Sequence, residues 1–240
     1  MSQVPGVIRV GHKGADHVAP GNTLESFRAA LDAGVDMIEF DVLPLDGGRR
    51  LVLAHDLEDA ARRTPLTLDE GLDHFAGKAY AGIDLDVDLK LPGYEREVVD
   101  GLHARGLDSR ALISSTYPAS LRLIGRMAPG LRRGWSVPRA QRDYTKSLLL
   151  AVPAYVALRW IRSGLPAKAA RALLRGECEA LMAHRLLVSR LLVQRVHEAG
   201  GQLYVWTVDD AQEIARLEAL GVDAVITNDP RLFAPEPVSG

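Results

Sequence analysis

Four residues in the first quarter of the chain have the types and spacing of a charge-handling site: His12, Glu39, Asp41 and His55. Glu39 and Asp41 lie two apart within the apolar run Met37–Val42, and on a β-strand such a pair projects from one face. Asp84, Asp86 and Asp88 repeat the same period within Ile83–Leu89, and Lys90 continues that face. Carboxylates gathered inside a protein are costly without a counter-charge, and a bound hard cation supplies one. Glu39, Asp41 and Asp88 make an oxygen-only ligand set suited to one divalent ion, Mg2+ or Ca2+. Such an ion can neutralise a phosphodiester and polarise its oxygens. His12 and His55, whose unperturbed pKa lies near neutrality, are the candidate general acid and base, and the sequence leaves open which is which. Lys13 and Lys90 are candidate phosphate contacts, and Trp206 is a candidate substrate contact whose bland alternative is a place in the core. The bland alternative for the acids is a set of salt bridges with Arg9, Lys13 or Lys90.

These residues act together only if strands carry them to one end of a sheet. Val7–Gly11, Met37–Val42, Ile83–Leu89, Ala111–Ser115, Arg132–Val137, Ala180–Ala183, Gln202–Val208 and Ala224–Thr227 read as strands. Amphipathic helical segments separate most of them. Asn22–Glu25 and Thr67–Glu70 carry the capping-box pattern, and Gly34 and Gly221 follow helical runs as stop residues. Strands alternating with helices imply parallel pairing, because parallel strands need a crossover. Eight of them imply a (β/α)8 TIM barrel, whose catalytic residues sit at the C-terminal ends of the strands. Arg50–Ala54 follows the second strand after too short a turn for a crossover, so it is expected as an extra antiparallel hairpin strand. Residues 138–176 are expected as a helical insertion after the sixth strand. The whole chain, 1–240, is expected to form one domain.

Composition narrows the class. The chain has 240 residues, and its net charge of -2 lacks the basic footprint of a nucleic-acid binder. The single cysteine, Cys178, excludes an intrachain disulfide and fits a reducing compartment. Met1–Val10 lacks a basic start followed by an apolar core, so no secretory signal is expected, and the expected location is cytoplasmic. The longest uncharged stretch of interest, Ser147–Leu158, contains Pro153 and is too short for the roughly 20 residues of a membrane span. The mixed apolar and basic segment 148–175 carries an alternative, peripheral contact with a membrane surface. Oligomeric state is not specified.

Taken together, the motifs resemble the glycerophosphodiester phosphodiesterase family. Gly11-His-Lys-Gly-Ala and Pro20-Gly-Asn-Thr-Leu-Glu-Ser-Phe27 are similar to its His-Arg-Gly and Pro-Glu-Asn-Thr signature. Ile38-Glu-Phe-Asp-Val42 is similar to its Glu-x-Asp strand, Leu53-Ala-His-Asp56 to its second histidine motif, and Val87-Asp-Leu-Lys90 to its Glu-x-Lys. Tyr204–Val208 and Gly221–Thr227 resemble its last two strands. The resemblance implies a (β/α)8 barrel, one divalent cation on Glu39, Asp41 and Asp88, and catalytic histidines at His12 and His55. It also implies a mechanism in which the substrate's 2-hydroxyl attacks phosphorus, releasing an alcohol and a cyclic phosphate that is then hydrolysed. Three departures stand out. Lys13 replaces an arginine, Gly21 removes a glutamate from the rim, and Asp88 is one methylene shorter than the family's glutamate. The expected activity is hydrolysis of small glycerophosphodiesters to glycerol 3-phosphate and an alcohol. The alternatives are a lysophospholipase D-like enzyme acting on lysophospholipids, and a phosphodiester-binding protein that has lost catalysis.

Overall fold

The computed structural model describes residues 6–138 and 151–233. The chain runs β1 (Ile8–Gly11), α1 (Leu24–Asp32), β2 (Met37–Leu45), β3 (Arg50–Leu53), α2 (Leu57–Arg62), α3 (Leu68–Phe75), β4 (Asp84–Leu89) and α4 (Glu95–Ala104). It continues β5 (Ala111–Ser115), α5 (Pro118–Met127), β6 (Arg132–Val137), α6 (Ala151–Leu174), β7 (Ala180–His184), α7 (Arg190–Glu198), β8 (Gln202–Trp206), α8 (Ala211–Leu220) and β9 (Ala224–Thr227). Eight strands pair in parallel in the order β1-β9-β8-β7-β6-β5-β4-β2, and β2 pairs back onto β1 to close a (β/α)8 barrel. β3 lies outside the ring, antiparallel to the upper half of β2, with Val42 opposite Leu53 and Leu45 opposite Arg50. The expected hairpin is therefore present, and it lifts the chain above the barrel rim just before His55.

Period-two alternation explains how one strand serves two environments. On β2, Ile38, Phe40 and Val42 face the helices in a fully buried layer with Phe27, Leu72 and Phe75. Met37 faces inward with Val10, Leu112, Met182, Tyr204 and Ile226, which plug the lower barrel. Glu39 and Asp41 follow on that same inward face and are buried above the plug. An apolar floor beneath polar walls is what a barrel interior with eight strands permits, since side chains fill it completely below the site.

Two local expectations need adjusting. The box that opens α1 is formed by Thr23 and Ser26, one residue later than Asn22–Glu25. Asn22 is not free to cap because it is buried and bonded elsewhere. At α3 the box is the expected one, Thr67 with Glu70. The helical insertion is present as the 24-residue α6, while residues 139–150 of the expected insertion lie outside the described residues. Its described inner face, Leu165, Ala169 and Leu173, is buried in the cluster shared with α7 and β7, so this part packs on the barrel. Trp160 points away from that cluster and is 73 % exposed. Among the described residues no helix is long and apolar enough to cross a membrane.

Candidate active site

The C-terminal ends of the strands converge on a cavity of about 480 Å3, lined among others by His12, Glu39, His55, Asp86, Asp88, Lys90 and Trp206. Register explains the grouping: Glu39 lies opposite Asp86 and Asp41 opposite Asp88 on the paired strands β2 and β4. One carboxylate oxygen each from Glu39, Asp41 and Asp88 falls within 4.8 Å of the others. The ammonium of Lys90 reaches the same spot, forming ion pairs with Asp41 and, at 2.5 Å, with Asp88 Oδ2. Positive charge is thus stabilised where three acids meet, and the all-oxygen donor set fits a hard divalent cation. Of the salt-bridge partners considered for the acids, Lys90 is the one used. Arg9 pairs with Asp36 at 2.8 Å, and Lys13 pairs with Asp16 at 2.6 Å.

His12 sits just past β1, its backbone N–H donating to Thr227 O at 2.8 Å. Its Nε2 is 3.8 Å from Glu39 Oε2. That same carboxylate oxygen accepts the backbone N–H of Lys13 at 2.7 Å. His55 is more open, 53 % exposed at the side chain, with Nδ1 3.1 Å from Asp56 Oδ2. Asp56 is also the N-cap of α2, accepting from Asp59 N at 2.8 Å, so His55 stands at the entrance of a short capped helix. Trp206 lines the cavity and donates Nε1–H to Met182 O at 3.0 Å, which fixes its ring at the wall.

Residues that carry no charge signal in the sequence complete the frame. Asn22 is fully buried and bonds Asp41 twice: Nδ2 donates to Asp41 Oδ2 at 2.9 Å, and Oδ1 accepts Asp41 N–H at 3.0 Å. The Pro-x-Asn-Thr motif was its only sequence clue, and that motif reads equally well as a helix start. Lys13 and Asn22, at φ 50° and 59°, both hold left-handed backbone in this one loop, a conformation that the surrounding contacts must maintain for the lysine. Lys13 does not line the cavity; its ammonium turns to Asp16. The position of Gly21 has a steric reason. Asp16 Oδ1 accepts the Gly21 N–H at 2.8 Å, and a Cβ at residue 21 would come within 2.4 Å of that oxygen. Asp16 thereby sets a carboxylate against both the Gly21 N–H and the Lys13 ammonium.

The sequence profile of the glycerophosphoryl diester phosphodiesterase family matches residues 12–68 and 58–232 of this chain. The chain belongs to that family. A glycerophosphodiester phosphodiesterase of Caldanaerobacter subterraneus subsp. tengcongensis is 27% identical over 256 aligned positions, covering 92% of this chain and 93% of the relative. Among solved structures, an Oleispira antarctica phosphodiesterase in complex with the product sn-glycerol-3-phosphate has a TM-score of 0.69 at 21% identity, covering 94% of each chain. A glycerophosphodiester phosphodiesterase from Agrobacterium tumefaciens also has a TM-score of 0.69, at 18% identity, covering 95% of this chain and 98% of its own. At these identities the two structures show that the fold is shared.

Burial sets the electrostatics of this phosphodiesterase-family site. Glu39 is pushed well above its ordinary pKa, first by burial and then by the charge of Asp41. Asp86, buried beneath Asp88 with Oδ1 lacking a hydrogen-bond partner, is pushed up to about 8, chiefly by burial. Burial pushes Asp41 the same way, but Lys90, with His55 and His12, outweighs it and holds Asp41 below the usual carboxylate range. His12 is lowered by burial, against the pull of Asp41. Burial thus favours the neutral form of Glu39 and Asp86, while the Lys90 ammonium favours the ionised form of Asp41.

Proposed function

We propose that this chain hydrolyses glycerophosphodiesters to glycerol 3-phosphate and an alcohol, using a divalent cation, with His12 as general base and His55 as general acid. The observation that carries this reading is the convergence of Glu39, Asp41 and Asp88 within 4.8 Å, beside two histidines lining one cavity, in a member of this family. The product complex of the Oleispira relative supports the substrate class.

Glu39, Asp41 and Asp88 would hold Mg2+ or Ca2+, which when bound supplies positive charge to the phosphate oxygens. The remaining work falls to side chains. Lys90 adds a fixed ammonium beside the acids and helps hold an anionic phosphodiester in the cavity. His12, kept neutral by burial, takes the proton of the attacking hydroxyl through its unprotonated nitrogen. His55 Nδ1 lies 3.1 Å from Asp56 Oδ2, a contact that orients the ring at the open edge of the cavity, from where it donates a proton to the leaving alkoxide. In the following hydrolysis of a cyclic phosphate the two exchange roles, because each now holds the proton state the reverse transfer needs. Trp206 provides a flat apolar wall for the glycerol carbons.

The test is turnover of glycerophosphocholine, lysophosphatidylcholine and bis-p-nitrophenyl phosphate by purified protein, with and without a chelator. Release of glycerol 3-phosphate that stops on chelation and returns with Mg2+ or Ca2+ supports the reading. His12→Ala and His55→Ala should each lower kcat at least 100-fold, within the usual range for acid–base groups. Full turnover in either variant, or in chelator, overturns it, and a marked preference for the lysolipid moves the substrate to that class.

A further inference from the structure

The face of His12 turned away from the acids is held more tightly than the face turned toward them. Its Nδ1 lies 2.6 Å from Asn228 Oδ1. Asn228 follows β9, and its Nδ2 donates to Asp209 Oδ2 at 2.7 Å. Asp209, three residues beyond the end of β8, also accepts the backbone N–H of Asn228 at 2.8 Å and the Thr227 hydroxyl at 3.0 Å on Oδ1. Sequence reading singled out neither Asp209 nor Asn228.

The chemistry of these contacts fixes each proton. An ionised carboxylate can only accept, so the side of the Asn228 amide facing Asp209 must be its NH2. Its carbonyl therefore faces His12, and a carbonyl too can only accept. The hydrogen between them must then sit on His12 Nδ1, which leaves the lone pair on Nε2, the nitrogen that points into the cavity toward Glu39. A neutral histidine side chain free in water prefers the opposite tautomer, with the proton on Nε2, which would be useless as a base there. We infer that Asp209 and Asn228 form a positioning relay that selects the base-competent tautomer of His12 and fixes its ring. The relay rests on the reading of His12 as general base. It works as carboxylates that accept from the far nitrogen of ligating or catalytic histidines do elsewhere, though here an amide is interposed.

The donor and acceptor pattern predicts which substitutions survive. Asn228→Leu removes the acceptor. Asn228→Asp alone sets two carboxylates against each other. Asp209→Asn alone cannot accept at both oxygens, so one amide hydrogen opposes a donor. The exchange Asp209→Asn with Asn228→Asp restores every bond: residue 228 offers one oxygen to His12 and one to the new amide, whose carbonyl accepts the backbone N–H and Thr227.

The experiment combines kinetics on glycerophosphocholine with 15N NMR of histidine-labelled protein at a pH where the imidazole is neutral. The His12 signal, one of 7 histidines, is identified by its loss in His12→Gln. Wild type should show Nδ1–H. Asn228→Leu should shift the ring toward Nε2–H and lower kcat about 10–100-fold with KM within a few-fold, the range for groups that orient a histidine through its far nitrogen. Each single exchange variant should lose kcat, and the double exchange should recover it to within several-fold of wild type. An unchanged tautomer in Asn228→Leu, or a double exchange no better than its parents, overturns the relay. A shifted tautomer with unchanged turnover leaves the relay standing and overturns the base role of His12 instead.

Discussion

Lys90 shows how much one side chain decides here. Its ammonium is the counter-ion of both Asp41, which is fully buried, and Asp88. Replacing Lys90 with Met would leave those acids uncompensated, and breaking a buried pair in that way costs about 3–5 kcal/mol. The expected result is a marked fall in Tm in chelator. Mg2+ or Ca2+ should restore more of it in the variant than they add to wild type. Equal Tm values for both proteins in chelator would mean that Lys90 carries no such load. His12 gives a second expectation, in pH. Burial lowers its pKa below the ordinary 6.5, so the neutral base persists into mildly acidic solution. The acid limb of kcat/KM should therefore have its midpoint below 6.5. The sign for stability is the same: the unfolded chain takes up the proton at 6.5 and the folded chain only at lower pH. The contribution of His12 is thus present above 6.5 and is lost as pH falls through the folded value. A limb with its midpoint above 6.5 would contradict the burial of this ring.

At the scale of elements, the site depends on how the turn after β1 is packed. The Gly14 N–H donates to Glu39 O at 3.2 Å, and Ser26 Oγ donates to Lys13 O at 2.8 Å, tying β1, β2 and α1 together around His12. A Cβ on Gly11 would come within 2.2 Å of Gly14 O, a backbone atom with no room to move. Gly11→Ala should cost on the order of 1–3 kcal/mol, as overpacking does, and should lower activity by displacing His12. Urea unfolding followed by circular dichroism measures the first and glycerophosphocholine turnover the second. A variant as stable and active as wild type would show that the turn can relax. The barrel seam is short at this point: β1 and β2 pair only at Val10–Met37 and Gly11–Ile38. The loop contacts therefore supply much of what joins the first histidine to the first acids.

Across the whole molecule, the described part of α6 closes the side of the barrel opposite that seam. Leu165, Ala169 and Leu173 join Leu181, Leu192, Val196 and Cys178 in one buried cluster. Burial pushes the Cys178 thiol up to about 12, so it is neither ionised nor accessible in the folded protein. Modification by a thiol reagent such as DTNB should wait for unfolding, its rate rising with denaturant along the same transition that circular dichroism reports. Rapid labelling under native conditions would show that α6 opens independently of the barrel.

The residue types alone determined much of this. Period-two acids in Met37–Val42 and Ile83–Leu89, histidines at strand ends and eight strands separated by helices specify a polar, acid-lined rim on a barrel, because strand periodicity decides which side chains share a face. The extra strand was legible for a similar local reason, since its turn is too short for a crossover. What the periodicity could not contain is which distant groups meet. Asn22 reaches Asp41 across 19 residues, and Asn228 reaches His12 across 216, a contact that exists only because β9 lies beside β1 in the closed ring. The capping box at α1 moved by one residue for the same reason: Asn22 had a stronger buried partner than the helix end could offer. The turn of Lys13 to Asp16, the placing of Lys90 between two acids and the tautomer of His12 likewise follow from hydrogen-bond partners that barrel closure selects. A sequence names the groups able to bond. Only the packed ring determines which of them are brought within reach and shielded from water, where such bonds are costly to leave unmade.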